Sequence, residues 1–298
     1  MIGKRSLSDW ALDIFIYVFM IIVLIMVLYP FLNSLAISLN HAEDTARGGI
    51  TIWPRELATE SYRSVINNPR VPQAYRVTIS RTLIGTVAAL FCTGILAYGL
   101  AHANLIGRKW YAIICLVPMY FAGGIIPTFL MIRAMGMINS FSVFIIPSLI
   151  GLFNIILMRT YFQSLPESLE ESAMLDGANY LTIFFKIIVP ISMPIIATIA
   201  LFVGVGHWND WYVAHVYIPT NDSLRPMQNV LLGLINEARM VEAMAALPDA
   251  SGVQIRRPAN TRSITSATMF VTIVPIIMVY PFLQRFFIKG IMIGSVKG

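Results

Sequence analysis

A run of acidic residues near the middle of the chain has the clearest chemical potential. Glu167, Glu170 and Glu171 lie close together, and the small residues Ser172 and Ala173 follow directly. Acidic side chains near the start of a helix interact favourably with the positive end of its dipole, and small side chains allow another surface to approach closely. The pattern predicts an acidic helix that docks in a groove on a partner, which is a role in recognition rather than in catalysis.

The neighbouring residues delimit this helix and start a second one. Ser164 is expected to cap a helix spanning Leu165–Asp176, and Gly177 stands where a left-handed residue ends a helix. Asn179 is expected to cap a second helix, with Tyr180–Lys186 leading into the next apolar run. An amphipathic helix lying on a membrane is the alternative, but such helices favour Lys and Arg on their polar face.

The rest of the sequence lacks the residue sets of common catalytic and metal sites. It contains neither a His-Glu-x-x-His motif nor the Gly-x-x-x-x-Gly-Lys-Ser/Thr loop that cradles a triphosphate. Cys92 and Cys115 lie inside apolar runs, where a thiol behaves as a small hydrophobic group. We therefore expect no metal, no cofactor and no ATP site in this chain.

Composition sets the environment in which these residues must be positioned. Of 298 residues, 57% are hydrophobic and 12% are charged, which is more apolar surface than one soluble core can bury. Only helices and closed barrels satisfy their backbone groups in lipid, and long apolar runs without alternation favour helices. The sequence predicts an all-α, polytopic membrane protein. The net charge of +6 is scattered between apolar runs, so nucleic acid is not an expected partner.

A membrane helix needs roughly 20 apolar residues, and several runs of the chain are long enough. We expect six spans, at Ile14–Ala36, Thr78–Ala101, Trp110–Met135, Phe141–Phe162, Ile187–Ile218 and Ser263–Phe287. Pro190 and Pro194 indicate that the first turns of the fifth span either are kinked or belong to the preceding element. Residues 38–77 and 219–262 then form long loops on one side and residues 164–186 a loop on the other, within a single transmembrane domain over residues 1–298.

Basic residues predict the orientation of these spans. Lys and Arg residues before the first span, after the second, and at the end of the last or beyond it all fall on one side: Lys4, Arg5, Arg108, Lys109, Arg285, Lys289 and Lys297. The positive-inside rule makes that side cytoplasmic, with both termini inside and the two long loops outside. The first run is too long for a signal peptide and lacks an Ala-x-Ala exit, so we expect it to be a retained span.

The segment Glu171–Pro190 resembles the EAA loop of ABC importer permeases. That family's pattern reads Glu-Ala-Ala, three residues, Gly, nine residues and Ile-x-Leu-Pro. Here the spacing falls on Glu171, Ser172, Ala173, Gly177, Ile187, Val189 and Pro190, with Ser172 in place of Ala and Val189 in place of Leu. The Asp176-Gly177-Ala178 triplet, the His207–Trp211 cluster and the Val-Lys-Gly ending resemble the smaller permease of maltose-type carbohydrate importers.

The resemblance implies a type I importer fold and a set of partners. These are a second permease in a heterodimer, two ATP-binding cassette subunits that hold ATP and magnesium, and an extracytoplasmic solute-binding protein that delivers a sugar or oligosaccharide. It implies a coupling role towards the ATPases for Glu170, Glu171, Ser172, Ala173, Asp176 and Gly177. The loop Pro219–Arg262 would face the binding protein or only cap the pore, and the tail Lys289–Gly298 would contact the ATPases or be a disordered end.

Polar side chains inside the apolar runs are the candidates for a substrate path. They are costly in lipid and by default face the bundle interior or water, and they comprise Asn33, Asn154, His207, Asn209, Asp210 and Gln284. Trp208, Trp211 and Tyr212 offer flat faces to a sugar ring, although an interfacial aromatic belt or helix packing explains them as well. The possible path is Asn154, Trp208, Asn209, Trp211 and Tyr212, and Arg225 and Arg262 are candidates to pair with Asp210 as a structural carboxylate.

Three other classes of function remain as alternatives. A secondary transporter driven by an ion gradient needs intramembrane acids and paired broken helices, and only Asp210 comes near in this sequence. A membrane enzyme needs a convergent set of nucleophile, base or metal ligands, which the sequence does not show. A structural assembly subunit is separated from a permease by measured transport.

Overall fold

The computed structural model describes residues 7–121, 123–245 and 261–295, and the regular structure of these residues is helical apart from one isolated bridge between Asn40 and Leu57. The all-α prediction is confirmed. The chain packs as two units, one of residues 1–69 and 233–273 and the other of residues 70–232 and 274–298. This division concerns packing within the chain, so the single transmembrane domain stays a prediction.

The first unit is built on a long apolar helix. Its helices are α1 (Leu7–Ser38), α2 (Ala42–Ala46) and α3 (Glu60–Ile66), and the beginning of α14 (Thr261–Ser295) belongs to it. The side chains of residues 14–31 in α1 are exposed although they are apolar, as expected where lipid is the solvent. The end of α1 is buried instead, and Ser263 donates a hydrogen bond of 3.0 Å to the carbonyl of Ile37.

The second unit is built around another long helix, α4 (Arg70–Ala101). After α4 come α5 (Arg108–Tyr120), α6 (Ile125–Ala134), the 3-10 turns Phe141–Phe144 and Ile146–Ser148, α7 (Leu152–Gln163), α8 (Ser168–Leu175), α9 (Tyr180–Ile183), the π turn Phe184–Ile188, α10 (Val189–Ile191), α11 (Met193–Asn209), α12 (Tyr212–Tyr217), the 3-10 turn Asp222–Leu224 and α13 (Met227–Ala245).

Three helices in the described residues are long and apolar enough to cross a membrane, Ser8–Ser38, Arg70–Ala101 and Thr261–Val279. The number rises to six if each of three bent pairs is one span: Arg108–Tyr120 with Ile125–Ala134, Phe141–Ser148 with Leu152–Gln163, and Tyr180–Ile191 with Met193–Asn209. A multi-pass membrane protein is therefore confirmed. α4 begins before the predicted Thr78, because its first two turns continue the helix beyond the apolar run.

The bends correct the third and fourth spans, which the sequence presents as continuous, and confirm the kink expected in the fifth. The third is interrupted at Gly123 and Gly124, and Gly124 has a φ of 86°. The fourth bends by 46° after its 3-10 turns, where Pro147 and Gly151 disfavour a continuous α-helix. The fifth bends by 84° at Ser192, between the two prolines that predicted a kink there.

Two hydrophobic clusters pack at opposite ends of α4. The Tyr98 cluster consists of Ala97, Tyr98, Leu100, Ile155, Met158, Phe162, Ala173, Ile183, Phe184, Ile188 and Ile199. The Val77 cluster consists of Val77, Ile132, Met137, Val143, Phe144, Ala214, Tyr217 and Ile218. α4 thus connects two separate packed regions of the second unit.

Some predictions fall on other parts of the chain. Lys4, Arg5, residues 246–260 of the loop Pro219–Arg262 and residues 296–298 of the tail lie outside the described residues. The side chains of Gln284, Arg285 and Lys289 also lie outside the description.

Candidate functional site

The acidic run forms α8, which begins later than the sequence predicts. The carbonyls of Pro166 and Glu167 accept hydrogen bonds of 3.2 and 3.0 Å from the amides of Leu169 and Glu170, and this first turn leads into the helix at Ser168. Ser164 does not cap α8, so that prediction was wrong. Its hydroxyl donates to the carbonyl of Tyr161 at 2.7 Å, and it therefore completes the end of α7.

The end of α8 is a glycine turn of the Schellman type. Gly177 has a φ of 83°, its amide donates to the carbonyl of Met174 at 2.9 Å, and the amide of Ala178 donates to the carbonyl of Ala173 at 2.9 Å. These two hydrogen bonds satisfy carbonyls that the helix end would leave open. The predicted left-handed terminator is confirmed.

The second helix starts where the sequence predicts. The Asn179 side chain accepts a hydrogen bond of 2.9 Å from the amide of Thr182, which caps α9. A π turn follows at Phe184–Ile188, just before Pro190, a residue that cannot donate a backbone hydrogen bond. The chain then turns sharply at Ser192 into α11, so α8 and the following span are joined by a short, closely specified connection.

The residues of α8 divide between an inner and an outer side. Ala173 is buried in the Tyr98 cluster, whereas Glu171, Asp176 and Gly177 are exposed. The hydroxyl of Ser172 donates to the carbonyl of Ser168 at 2.8 Å, so its polar group is satisfied within the helix. The structure thus brings the acidic, small and glycine residues to one accessible surface, with Ala173 anchoring it from below.

Glu170 has a different role from its neighbours. Its Oε2 lies 2.8 Å from Nε2 of His102, and Nδ1 of His102 lies 2.8 Å from the carbonyl oxygen of Tyr98. The two ring nitrogens thus bridge the Tyr98 carbonyl and the Glu170 carboxylate. The rings of Tyr98 and Tyr180 contact the imidazole edge to face, at 4.6 and 5.4 Å between centroids. This pair fastens α8 to the end of α4.

A cavity of about 420 Å³ lies beside this pair, lined among others by His102, Arg108, Gln163, Glu167, Glu170 and Tyr180. Arg108 donates to the carbonyl of Leu100 at 3.1 Å and Gln163 to that of Ala101 at 3.4 Å. Both side chains therefore satisfy the last carbonyls of α4. The cavity gives a partner a polar recess at the base of α8.

A second charged pair lies at the other end of α4. Arg81 is buried, with Nη1 lying 3.3 Å from Oδ2 of Asp210, Nη2 donating to the Asp210 carbonyl and the guanidinium 5.1 Å from the centroid of the Phe144 ring. The other carboxylate oxygen of Asp210 accepts from the amides of Tyr212 and Val213 at 3.0 and 3.2 Å. Arg81 thereby holds the break between α11 and α12.

The partner of Asp210 corrects a prediction. Arg81 forms the ion pair, while Arg225 pairs with Asp222 at 2.9 Å. Arg81 was not among the candidates, because only the packing of α4 against α11 brings this distant residue to Asp210.

The possible substrate path divides between exposed and buried residues. Trp208 is buried, while Asn209, Trp211 and Tyr212 are exposed at the break between α11 and α12. Gln228 donates to the side chain of Asn209 at 3.3 Å, and the ring of Trp211 contacts those of Tyr212 and His215, with centroids 6.0 and 5.8 Å apart. Asn154 lies in the first turn of α7 and folds over Gly151, and no described contact joins it to this group.

Known proteins resemble this chain over nearly its whole length, although no family model matches it. The polygalacturonan/rhamnogalacturonan transport system permease protein YtcP of Bacillus subtilis is 36% identical over 286 residues, which cover 96% of this chain and 98% of that protein. Protein LplC of Bacillus subtilis is 37% identical over 271 residues, or 90% and 89% of the two chains. This chain belongs to the permeases of ABC sugar transport systems.

A solved structure shows that this permease also shares the fold of that family. A chain of a bacterial ABC transporter that imports the acidic polysaccharide alginate has a TM-score of 0.84 and 28% identity, over 96% of this chain and 99% of that one. The predicted resemblance to ABC importer permeases and the predicted fold are thereby confirmed. The EAA-like residues of this permease are those that form α8, its glycine turn and the start of the next span.

Sequence reasoning missed two functional candidates in this permease, His102 and Arg81. Their partners are 68 and 129 positions away, so no local spacing reveals either pair. The only available signal was the rarity of a charged side chain inside an apolar run, which applied to Arg81.

Proposed function

We propose that this permease forms, with a second permease subunit, the translocation pore of an ATP-driven importer of acidic oligosaccharides. The observation that carries the proposal is the near full-length similarity to the polygalacturonan/rhamnogalacturonan permease, supported by the similarity to the alginate importer. The first is named for the transport of polygalacturonan and rhamnogalacturonan, and the second imports the acidic polysaccharide alginate. An extracytoplasmic binding protein delivers the substrate, and two ATPase subunits hydrolyse ATP, since this sequence has no triphosphate-binding loop.

In this proposal α8 is the contact through which the ATPases act. Its exposed residues Glu171, Ser172, Asp176 and Gly177 meet the ATPase surface, while Ala173 packs inward. Movement of α8 passes through the glycine turn to α9, the π turn and the fifth span, because the capping hydrogen bonds leave little slack between these elements. Glu170 joins the same movement to α4 through His102.

The exposed group at the break between α11 and α12 is the proposed substrate contact. Asn209, Trp211 and Tyr212 combine aromatic faces with polar atoms, which is the chemistry that sugar rings recognise. Trp208 is assigned to packing because it is buried, and Asn154 remains a separate candidate for the path. Asp210 is engaged by Arg81 and by two backbone amides, which disfavours a proton-carrying role and with it an ion-driven transporter.

The orientation follows from the placement of α8. If α8 meets cytoplasmic ATPases, the Tyr98 end of α4 is cytoplasmic, the Val77 end is outside, and both termini are inside as the basic residues predict. The chain itself carries no cofactor in this proposal, and magnesium and ATP belong to the partner subunits.

Co-purification followed by ATPase measurements tests the function. The tagged permease is co-expressed with its neighbouring genes and purified. The rate of ATP hydrolysis is then measured with and without binding protein loaded with oligogalacturonate. A complex containing a second permease and ATPase subunits, with hydrolysis stimulated by the loaded binding protein, is the expected result. A chain that purifies alone, with uptake that collapses when an ion gradient is dissipated, would replace the proposal by a secondary transporter.

A further inference from the structure

The chain after α1 folds back along the end of that helix. Asn33 lies in the last turns of α1, and its side-chain amide donates to the carbonyls of Ile50 and Thr51, both at 2.7 Å. Because an α-helix rises about 1.5 Å per residue, Asn33 lies about 10 Å nearer the centre of the membrane than Asn40, which follows the helix end. Ile50 and Thr51 therefore lie at the depth of Asn33, which is within the apolar run of α1.

Asn40 holds the return from the other side. Its side-chain oxygen accepts from the amides of Arg55 and Glu56 at 2.8 and 2.9 Å, and its amide group donates to Asp44 at 2.9 Å and to Thr45 at 3.1 Å. This side chain therefore joins the end of α1 to helix α2 and to the loop at Arg55 and Glu56.

Asp44 and Arg55 complete the attachment. Nε of Arg55 lies 2.9 Å from Oδ2 of the buried Asp44. The hydrogen bond from Asn40 lowers the pKa of Asp44, against the burial that raises it, and Arg55 adds to the lowering. The carboxylate is thus ionised at neutral pH, and the loop is fixed at two levels, by Asn33 below and by Asn40 above.

Two exposed apolar side chains lie between these two levels. Ile52 is 53% exposed and Trp53 is 76% exposed, and they follow directly after the carbonyl that Asn33 holds. Leu57 is 75% exposed as well, but it pairs with Asn40 and so lies at the outer level. The loop therefore carries similarly exposed apolar residues at two different depths relative to α1.

We propose that Ile52 and Trp53 contact lipid in the interfacial layer of the leaflet at the Ser38 end of α1. Tryptophan favours that layer, where its ring meets the acyl chains and its N–H meets the headgroups. Their level, between those of Asn33 and Asn40, coincides with the end of the apolar run at Ala36. The loop thus anchors the end of α1 in the membrane, independently of the substrate and of the ATPases.

Spin-label accessibility in lipid nanodiscs tests this depth directly. Cys92 and Cys115 are first replaced by serine, and a nitroxide is attached at Trp53→Cys or, as the matched control, at Leu57→Cys in the assembled complex. The label at position 53 should collide several-fold more often with oxygen, which concentrates in lipid, than with a water-soluble nickel chelate. The label at position 57 should show the reverse preference.

Two outcomes overturn the proposal. If the label at position 53 collides with the nickel chelate as often as an exposed label at position 57, the loop lies in solvent. If the label at position 53 is shielded from both oxygen and the chelate, the loop lies against a protein. Quenching of tryptophan fluorescence by brominated lipids provides a check that leaves the loop unmodified. The wild-type complex should lose more fluorescence than the Trp53→Phe variant, and equal quenching in the two would again contradict lipid contact.

Discussion

Two side-chain pairs join α4 to other helices, and they differ in how deeply they are buried. His102 and Glu170, at the Tyr98 end, have side chains that are 25% and 23% exposed and border the cavity beside α8. Arg81, at the Val77 end, is 1% exposed and lies near the face of Phe144, with Asp210 28% exposed. Pairs that water reaches contribute little to stability, whereas removing one partner of a buried pair is strongly destabilising.

The difference suggests a division of tasks within one helix. The Arg81 pair fixes the break between α11 and α12, where the exposed aromatic residues lie. The His102 pair joins α4 to α8, which is proposed to meet the ATPases. The first is suited to holding a fixed geometry, and the second to a contact that adjusts when a partner docks.

Replacing Arg81 should have the largest effect on stability. Arg81→Ala removes a buried side chain and leaves Asp210, which is 28% exposed and still accepts from two backbone amides, without its cation, so we expect the free energy of unfolding to fall by about 1–3 kcal/mol. Thermal or denaturant unfolding of the purified complex measures this. Arg225→Ala is the matched control, because its pair with the exposed Asp222 should be worth only about 0–1 kcal/mol.

The double variant makes this prediction more specific. Arg81→Ala with Asp210→Ala removes the uncompensated charge, so it should be less destabilised than the sum of the two single variants. Additive losses would mean that the two side chains do not act as a pair.

Gly177 should matter for coupling more than for folding. Gly177→Asp places a side chain at a φ of 83° and a new charge on the exposed side of α8, so we expect uptake to be abolished while the protein stays in the membrane. Gly136→Asp is the control, since Gly136 also has a left-handed φ, of 69°, and open space around it. Both variants carry a backbone strain of at most about 1–2 kcal/mol. Equal uptake in the two would contradict the assignment of α8.

The His102 pair should affect coupling with little effect on stability. Glu170→Gln weakens the attachment of α8 to α4, and because the pair is partly exposed the free energy of unfolding should change by only about 0–1 kcal/mol. The ATPase rate stimulated by loaded binding protein should fall a few-fold. Glu167→Gln serves as control, because Glu167 lines the same cavity but has no ion pair among the described residues. An identical decrease in both variants would argue against a role for the pair.

Trp211 should give the smallest and most selective effect. Its side chain is 44% exposed, so Trp211→Ala should leave stability nearly unchanged and reduce uptake of long oligosaccharides more than the stimulated ATPase rate. Trp208→Ala, at a buried position, should reduce both together. If Trp211→Ala also reduces both equally, the residue packs against a helix rather than contacting sugar.

The local signals in the sequence were sufficient for α8 but not for its attachments. Gly177 and Asn179 act on backbone groups a few residues away, so their roles as terminator and cap could be predicted from spacing alone. His102 and Arg81 find their partners through the packing of whole helices, which no local pattern encodes. The mistaken cap at Ser164 has another cause, since α8 begins only at Ser168 and the Ser164 hydroxyl donates to the carbonyl of Tyr161 at the end of α7.

The spans show the same limit. Apolar composition predicted where the membrane segments lie, because a helix that crosses the bilayer needs apolar residues along its whole length. It did not predict continuity, since the breaks depend on a few residues such as Pro147 and Gly151 that hydropathy averages away.

Uptake into proteoliposomes tests the central claim most directly. The complete complex is reconstituted with ATP inside the vesicles on the ATPase side, and uptake of labelled oligogalacturonate from binding protein is compared between wild type and Glu171→Lys. The account predicts ATP-dependent uptake by the wild type and its loss in Glu171→Lys, with all subunits still assembled or with the ATPases alone released. The account would be contradicted if the Glu171→Lys variant took up substrate at the wild-type rate, or if uptake by the wild type needed no ATP.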